Sequence, residues 1–135
     1  MKKVGIIIFL SFVLLSGACF SQEVRENINE VLNEQQRADW YKTRKAWENK
    51  YFHAFLKKNK IKLSCKKCAS VYLDVHFSIM EDGHAHLKIL QTQKCGSAFN
   101  EKQVSELEKL LFNLEFAPTL YNSKFLARLG NGLKC

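Results

Sequence analysis

Between Val71 and Ile79 the chain alternates without a break. Val71, Leu73, Val75, Phe77 and Ile79 are apolar, and Tyr72, Asp74, His76 and Ser78 stand between them. Successive side chains of a strand point to opposite faces, so this period of two, rich in β-branched and aromatic residues, predicts a strand with one buried face. Glu81-Asp82-Gly83 interrupts the pattern, and Ala85, Leu87 and Ile89 resume it. Parity then sets the loop. Odd residues stay on one face across the hairpin only if Met80 opposes His84, which leaves three loop residues and puts Gly83 where a left-handed backbone is needed. The register that follows pairs Ile79 with Ala85, Phe77 with Leu87 and Val75 with Ile89.

A helix is predicted next. Asn100 is placed to cap it, with Gln103 three residues on, and Val104, Leu107, Leu110, Leu111 and Leu114 form its apolar stripe. It ends before Pro118, because the residue preceding proline disfavours helical geometry. Lys124 to Cys135 reads as a third strand, with a bulge or kink suggested by Gly130 and Gly132. A helix joining strands two and three makes them parallel to each other, and a tight turn cannot link a parallel pair. The compact solution puts strand three on the free side of strand one. The predicted fold is therefore α+β: a three-stranded antiparallel sheet of order 2-1-3, with ββαβ connectivity. The amphipathic helix and an N-terminal helical segment cover its odd face. Cys65 and Cys68 precede the first strand, Cys95 follows the second and Cys135 ends the third, so this order brings all four to one end of the sheet.

The N-terminal third has a different character. Lys2 and Lys3 precede an uncharged apolar run from Val4 to Leu15, followed by small residues through Ser21, the pattern of a secretory leader. Cleavage after Ser21 gives a soluble product. Alternatively, Leu15-Ser16-Gly17-Ala18-Cys19 resembles a bacterial lipoprotein box, with Cys19 as the lipidated residue. Either route leads to an oxidising periplasmic or outer-membrane-associated compartment, where disulfides persist. The division is residues 1–21 as leader, 22–62 as a helical segment with a basic connector, and 63–135 as the ββαβ domain. In the helical segment Val24, Ile28, Val31 and Leu32 recur at helical spacing. Trp40, Trp47, Tyr51, Phe52 and Phe55 form an aromatic stripe read as its packing face, and the segment is one long helix or two broken near Asp39.

About 114 residues remain after the leader, enough for one domain. The formal charge is +8, and +6 without Lys2 and Lys3. Much of the excess lies in the connector from Lys57 to Lys67, read as a solvated link or as a contact for anionic lipid headgroups. Nucleic acid is not expected in this compartment, and no recognition motif supports it.

The run from Val71 through the Asp82-Gly83 turn to Leu90 resembles the first hairpin of the TonB C-terminal domain. The amphipathic helix and Glu115-Phe116-Ala117-Pro118 resemble that family's helix and its Phe-x-Pro segment before the last strand. The likeness covers roughly residues 65–135. The family's proline-rich spacer has no counterpart here, since the chain has one proline, and Cys65 and Cys68 stand where a Tyr-Pro pair is common. The resemblance implies the fold and a mode of binding in which a peptide adds to the edge of the last strand. It does not imply energy transduction.

Three sets of candidate site residues follow. Cys65, Cys68, Cys95 and Cys135 are expected to form two disulfides, with a thiol-redox pair at Cys65 and Cys68 or a four-thiolate zinc site as rivals. His76, His84 and His86 share the even face of the hairpin and are weighed as zinc or copper ligands against a merely hydrated polar face. Lys124, Leu126 and Arg128 form the partner-binding edge. No catalytic acid, base or nucleophile stands out, and no cofactor is expected. The leading expectation is a non-enzymatic envelope adaptor that binds a protein or peptide, and its rival is a redox or metal-binding protein. Free thiols in protein purified without reductant, together with bound zinc, separate the two.

Overall fold

The computed structural model describes residues 26–62, 70–95 and 99–131. The leader, Cys19, Cys65, Cys68, Cys135 and the expected continuation of the third strand past Asn131 lie outside these residues.

The sheet is the frame. β1 (Ser70–Ile79), β2 (Ala85–Cys95) and β3 (Lys124–Asn131) form one antiparallel sheet in the order β2-β1-β3. The hairpin register is the one parity requires, with Ile79 opposite Ala85, Phe77 opposite Leu87 and Val75 opposite Ile89. The Met80 amide donates to the His84 carbonyl at 2.7 Å, and Gly83 sits at φ +89°. Every odd residue of β1 is buried, and so are Phe125, Ala127 and Leu129 of β3, which face the same side.

The pairing contains one feature that the alternation does not reveal. Asp74 opposes Gln91 while Val75 opposes Ile89, so Leu90 is an extra residue in β2. A bulge of this kind shifts the parity of everything after it. Thr92 and Lys94 consequently turn towards the helix-bearing face. There Thr92 Oγ1 donates to Glu108 at 2.9 Å and Lys94 Nζ lies 2.7 Å from Glu101.

Among the described residues, four α-helices pack around this frame. α1 (Ile28–Val31) is a single turn, α2 spans Glu34–Trp47, and α3 spans His53–Lys58. α4 (Glu101–Leu110) joins β2 to β3. The expected break near Asp39 is not there; it falls at Leu32–Asn33. Asn33 caps α2 by accepting the Gln36 amide while the Gln36 side chain accepts the Asn33 amide, each at 2.9 Å. Asp39 instead lies within α2 and accepts from Thr119 Oγ1 and Gln35, hydrogen bonds that hold its carboxyl below the usual carboxylate range. Val31, placed in the apolar stripe by spacing, is exposed. Asn100 and Gln103 make the second reciprocal cap, as the sequence predicts.

Between α2 and α3 the backbone runs through a π-helical stretch, Glu48–Phe52. On a regular α-helix, residues five apart point about 140° away from each other. The wider turn brings Trp47 and Phe52 to one face, where their rings stack at 5.9 Å. Trp40, Trp47, Phe52 and Phe55 are all buried. Trp40 meets Phe77 and Phe125 at ring distances of 5.1 Å, which seats α2 on the odd face of the sheet.

Candidate functional site

Among the described residues β3 pairs with β1 on one side only, so its other side is an edge of the sheet. The Ile79 amide donates to the Ser123 carbonyl at 2.9 Å, so the odd positions of β3 turn their main chain towards β1. Alternation then turns the amides and carbonyls of Lys124, Leu126 and Arg128 outward. These are the three residues that the sequence marks as the docking edge.

That edge is partly covered by the chain itself. The Leu126 amide donates to Asn27 Oδ1 at 2.7 Å, and the Asn27 amide donates back to the Leu126 carbonyl at 3.2 Å. The Arg128 amide donates to Glu26 Oε1 at 2.6 Å. The outward amides of two of the three edge residues are therefore engaged within the molecule. Ile28, next in the chain, is buried and anchors the cover.

The cover has an electrostatic backing. Arg44 of α2 lies 3.8 Å from Glu26 and 3.7 Å from Glu48. Burial pushes the Glu48 carboxyl up, against the pull of Arg44. A cleft of about 320 Å³ runs between them, lined by Glu26, Arg44, Glu48, Phe52, His53 and Arg128.

Arg128 is held from the sheet's even face. Its Nε lies 2.8 Å and its second guanidinium nitrogen 3.2 Å from the two oxygens of Asp74, which is only 2% exposed. The guanidinium stacks 4.1 Å over the Tyr72 ring, whose hydroxyl hydrogen-bonds Gln93. The hydrogen bond to Asp74 holds the guanidinium pKa above its ordinary value. Asp74, on the even face of β1 with His76, is thus committed to Arg128. A fork-shaped cation on a planar carboxylate fixes both partners, and leaving either one unpaired would be costly.

The histidines do not converge. His76 lies opposite Lys88, and His86 lies opposite Ser78. His84 turns back on the loop, its Nδ1 2.9 Å from Asp82 Oδ2 and its amide donating to Asp82 Oδ1. Among the described residues no group of three His, Cys, Asp or Glu side chains is arranged to hold a metal ion. Diagonal neighbours on paired strands are about 7–8 Å apart, so sharing an ion depends on side-chain rotamers that converge.

For the cysteine cluster, the described part of the geometry is the sheet end itself. Cys95 closes β2 opposite Ser70, and Asn131 lies opposite Val71, so the start of β1 sits beside the ends of β2 and β3. The Cys95 sulfur is in a disulfide. Cys65, Cys68 and Cys135 fall outside the described residues. Of the basic connector, Lys58 is bonded to Glu106 at 2.9 Å, while Lys57 is exposed.

Sequence reasoning missed Glu26, Asn27, Arg44 and Glu48. The hydrogen bond from Leu126 to Asn27 joins residues 99 positions apart, and nothing in the local spacing of Glu26-Asn27 signals it. The one available hint is two polar residues set directly before a buried Ile28. Comparison with known proteins finds no match: no family model, no curated protein and no solved structure corresponds to this chain.

Proposed function

We propose that this chain is a non-enzymatic adaptor of the cell envelope that receives a segment of a protein partner along the outer edge of β3. The single observation carrying this reading is the exchange of hydrogen bonds between Leu126 and Asn27, one to each of the Leu126 main-chain groups. It supports β3 as an edge that accepts chain from outside the sheet. Strand addition works through such main-chain bonds, with alternate side chains supplying selectivity. The likeness to the TonB C-terminal domain points to the same edge. Export through the leader ending at Ser21, or anchoring at Cys19, belongs to the same proposal. So does surface contact through the basic residues from Lys57 to Lys67.

Leu126→Pro tests it. Proline removes the outward amide without touching the bonds that β3 makes to β1. The tagged wild-type chain is expected to retain a defined partner from envelope extract, and the variant to retain it at least about tenfold less well, equivalent to about 1.4 kcal/mol. Lys88→Glu, on the opposite strand, serves as the matched surface control. Equal retention by the Leu126→Pro protein, shown to be folded by its melting transition, would remove the basis for strand addition.

A further inference from the structure

We infer that Glu26 and Asn27 form a displaceable gate over the β3 edge, held by Arg44, so that the docking surface is closed in the resting molecule. This inference rests on the adaptor reading and adds its regulation. The cover is short. Within the described residues it engages Leu126 through both main-chain groups and Arg128 through its amide alone, from a segment whose regular structure is the single turn of α1. An incoming strand that pairs along Lys124, Leu126 and Arg128 replaces each of these bonds with one of its own and adds those at Lys124. The exchange therefore leaves no buried donor unpaired.

The electrostatic hold is of the same displaceable kind. Glu26 and Arg44 are about one-third exposed and 3.8 Å apart, a distance and exposure at which an ion pair contributes little. Arg44 keeps other partners when Glu26 leaves: the Glu48 carboxylate and the Tyr41 ring, 5.5 Å away. Arg128 likewise keeps Asp74 and Tyr72. Opening therefore strands neither guanidinium, and it exposes two cations beside an unoccupied row of main-chain groups. A partner's apparent affinity is reduced by the fraction of molecules in which the gate is closed.

The test needs no partner for its first arm. Hydrogen–deuterium exchange is followed residue by residue in the full mature chain, as wild type, as Glu26→Ala/Asn27→Ala and as Arg44→Ala. The double substitution is expected to speed exchange at the Leu126 and Arg128 amides at least tenfold, while Phe125 and Ala127, which face β1, keep the wild-type rate. Arg44→Ala, which leaves the cover residues and β3 unchanged and removes the ion pair to Glu26, is expected to speed exchange at Arg128 alone by about threefold, the size of a weak exposed pair. Unchanged rates at Leu126 and Arg128 overturn the gate, as does equal acceleration at Phe125, which would make the segment part of the sheet's stability.

The second arm is retention of the envelope partner, expected to rise at least threefold in the double variant. No rise despite selective opening overturns the gate while leaving the adaptor reading to the Leu126→Pro result. Unchanged retention by Leu126→Pro, with selective opening, overturns the adaptor reading on its own. A dimer of the double variant in sedimentation, with Leu126 and Arg128 protected again, assigns the edge to a second copy and overturns the partner claim.

Discussion

Trp40 and Trp47 occupy equivalent faces of one helix and differ in a single bond. The Trp47 indole donates to the Leu110 carbonyl at 2.8 Å, fastening α2 to the end of α4. The Trp40 Nε1 is buried and has no partner among the described residues. Replacing either ring with phenylalanine removes similar volume, but only at Trp47 does it break a hydrogen bond, whereas at Trp40 it deletes a donor that is already unsatisfied. Trp47→Phe is therefore expected to destabilise the protein by about 1 kcal/mol more than Trp40→Phe in urea unfolding. Equal losses, or the reverse order, would contradict the bonding described for the two indoles. The same logic explains why Asp74 tolerates near-complete burial: its two oxygens meet two guanidinium nitrogens in the geometry that best compensates a desolvated carboxylate.

At the level of elements, two glycines separate turn chemistry from strand packing. Gly83 has φ +89°, and a Cβ there would come within 2.7 Å of the Tyr121 ring, a side chain able to swing aside. Gly130 has φ +105°, and a Cβ there would lie 2.5 Å from the Val71 carbonyl oxygen, which is fixed in the sheet. Alanine at either site forces a left-handed backbone, at about 1–2 kcal/mol. Gly130→Ala is expected to cost clearly more than Gly83→Ala, with thermal unfolding as the measure. The hairpin was legible because alternation and loop parity are local, and so were the reciprocal cap at Asn100 and the aromatic face of α2. The bulge at Leu90 was not, because an extra residue in a half-exposed edge strand leaves no mark on apolar spacing. The π-helical stretch escaped for a related reason: Trp47 and Phe52 look out of phase until the backbone turn widens. Asp39 drew attention as a breaker, whereas the break lies at Asn33, whose partner Gln36 makes the capping pattern visible once it is sought. Of the candidate site, the place of the last strand at a sheet edge followed from the sheet order, and the reading of Lys124, Leu126 and Arg128 as a docking edge from the family resemblance. Their cover did not, since it depends on a contact between residues 99 positions apart.

On the scale of the whole molecule, the sheet order collects the start of β1 and the ends of β2 and β3 at one pole, where Cys95 carries its disulfide. A covalent link at that pole restrains the unfolded chain, an effect typically of about 2–4 kcal/mol in a small domain. Cys95→Ser is expected to lower the unfolding free energy by that amount in oxidised protein and to change little when wild type and variant are compared in strong reductant. A loss of the same size under both conditions would assign the effect to packing. The two free sides of the sheet are not equivalent. Along β2, the bulge at Leu90 and the exposed Lys88 and Lys94 break up what would otherwise be a flat ribbon. A row of molecules can propagate only if each unit bonds through two different sides. With β2 blunted in this way, strand addition at β3, as proposed, would be terminal: one incoming strand per molecule and no route to filaments.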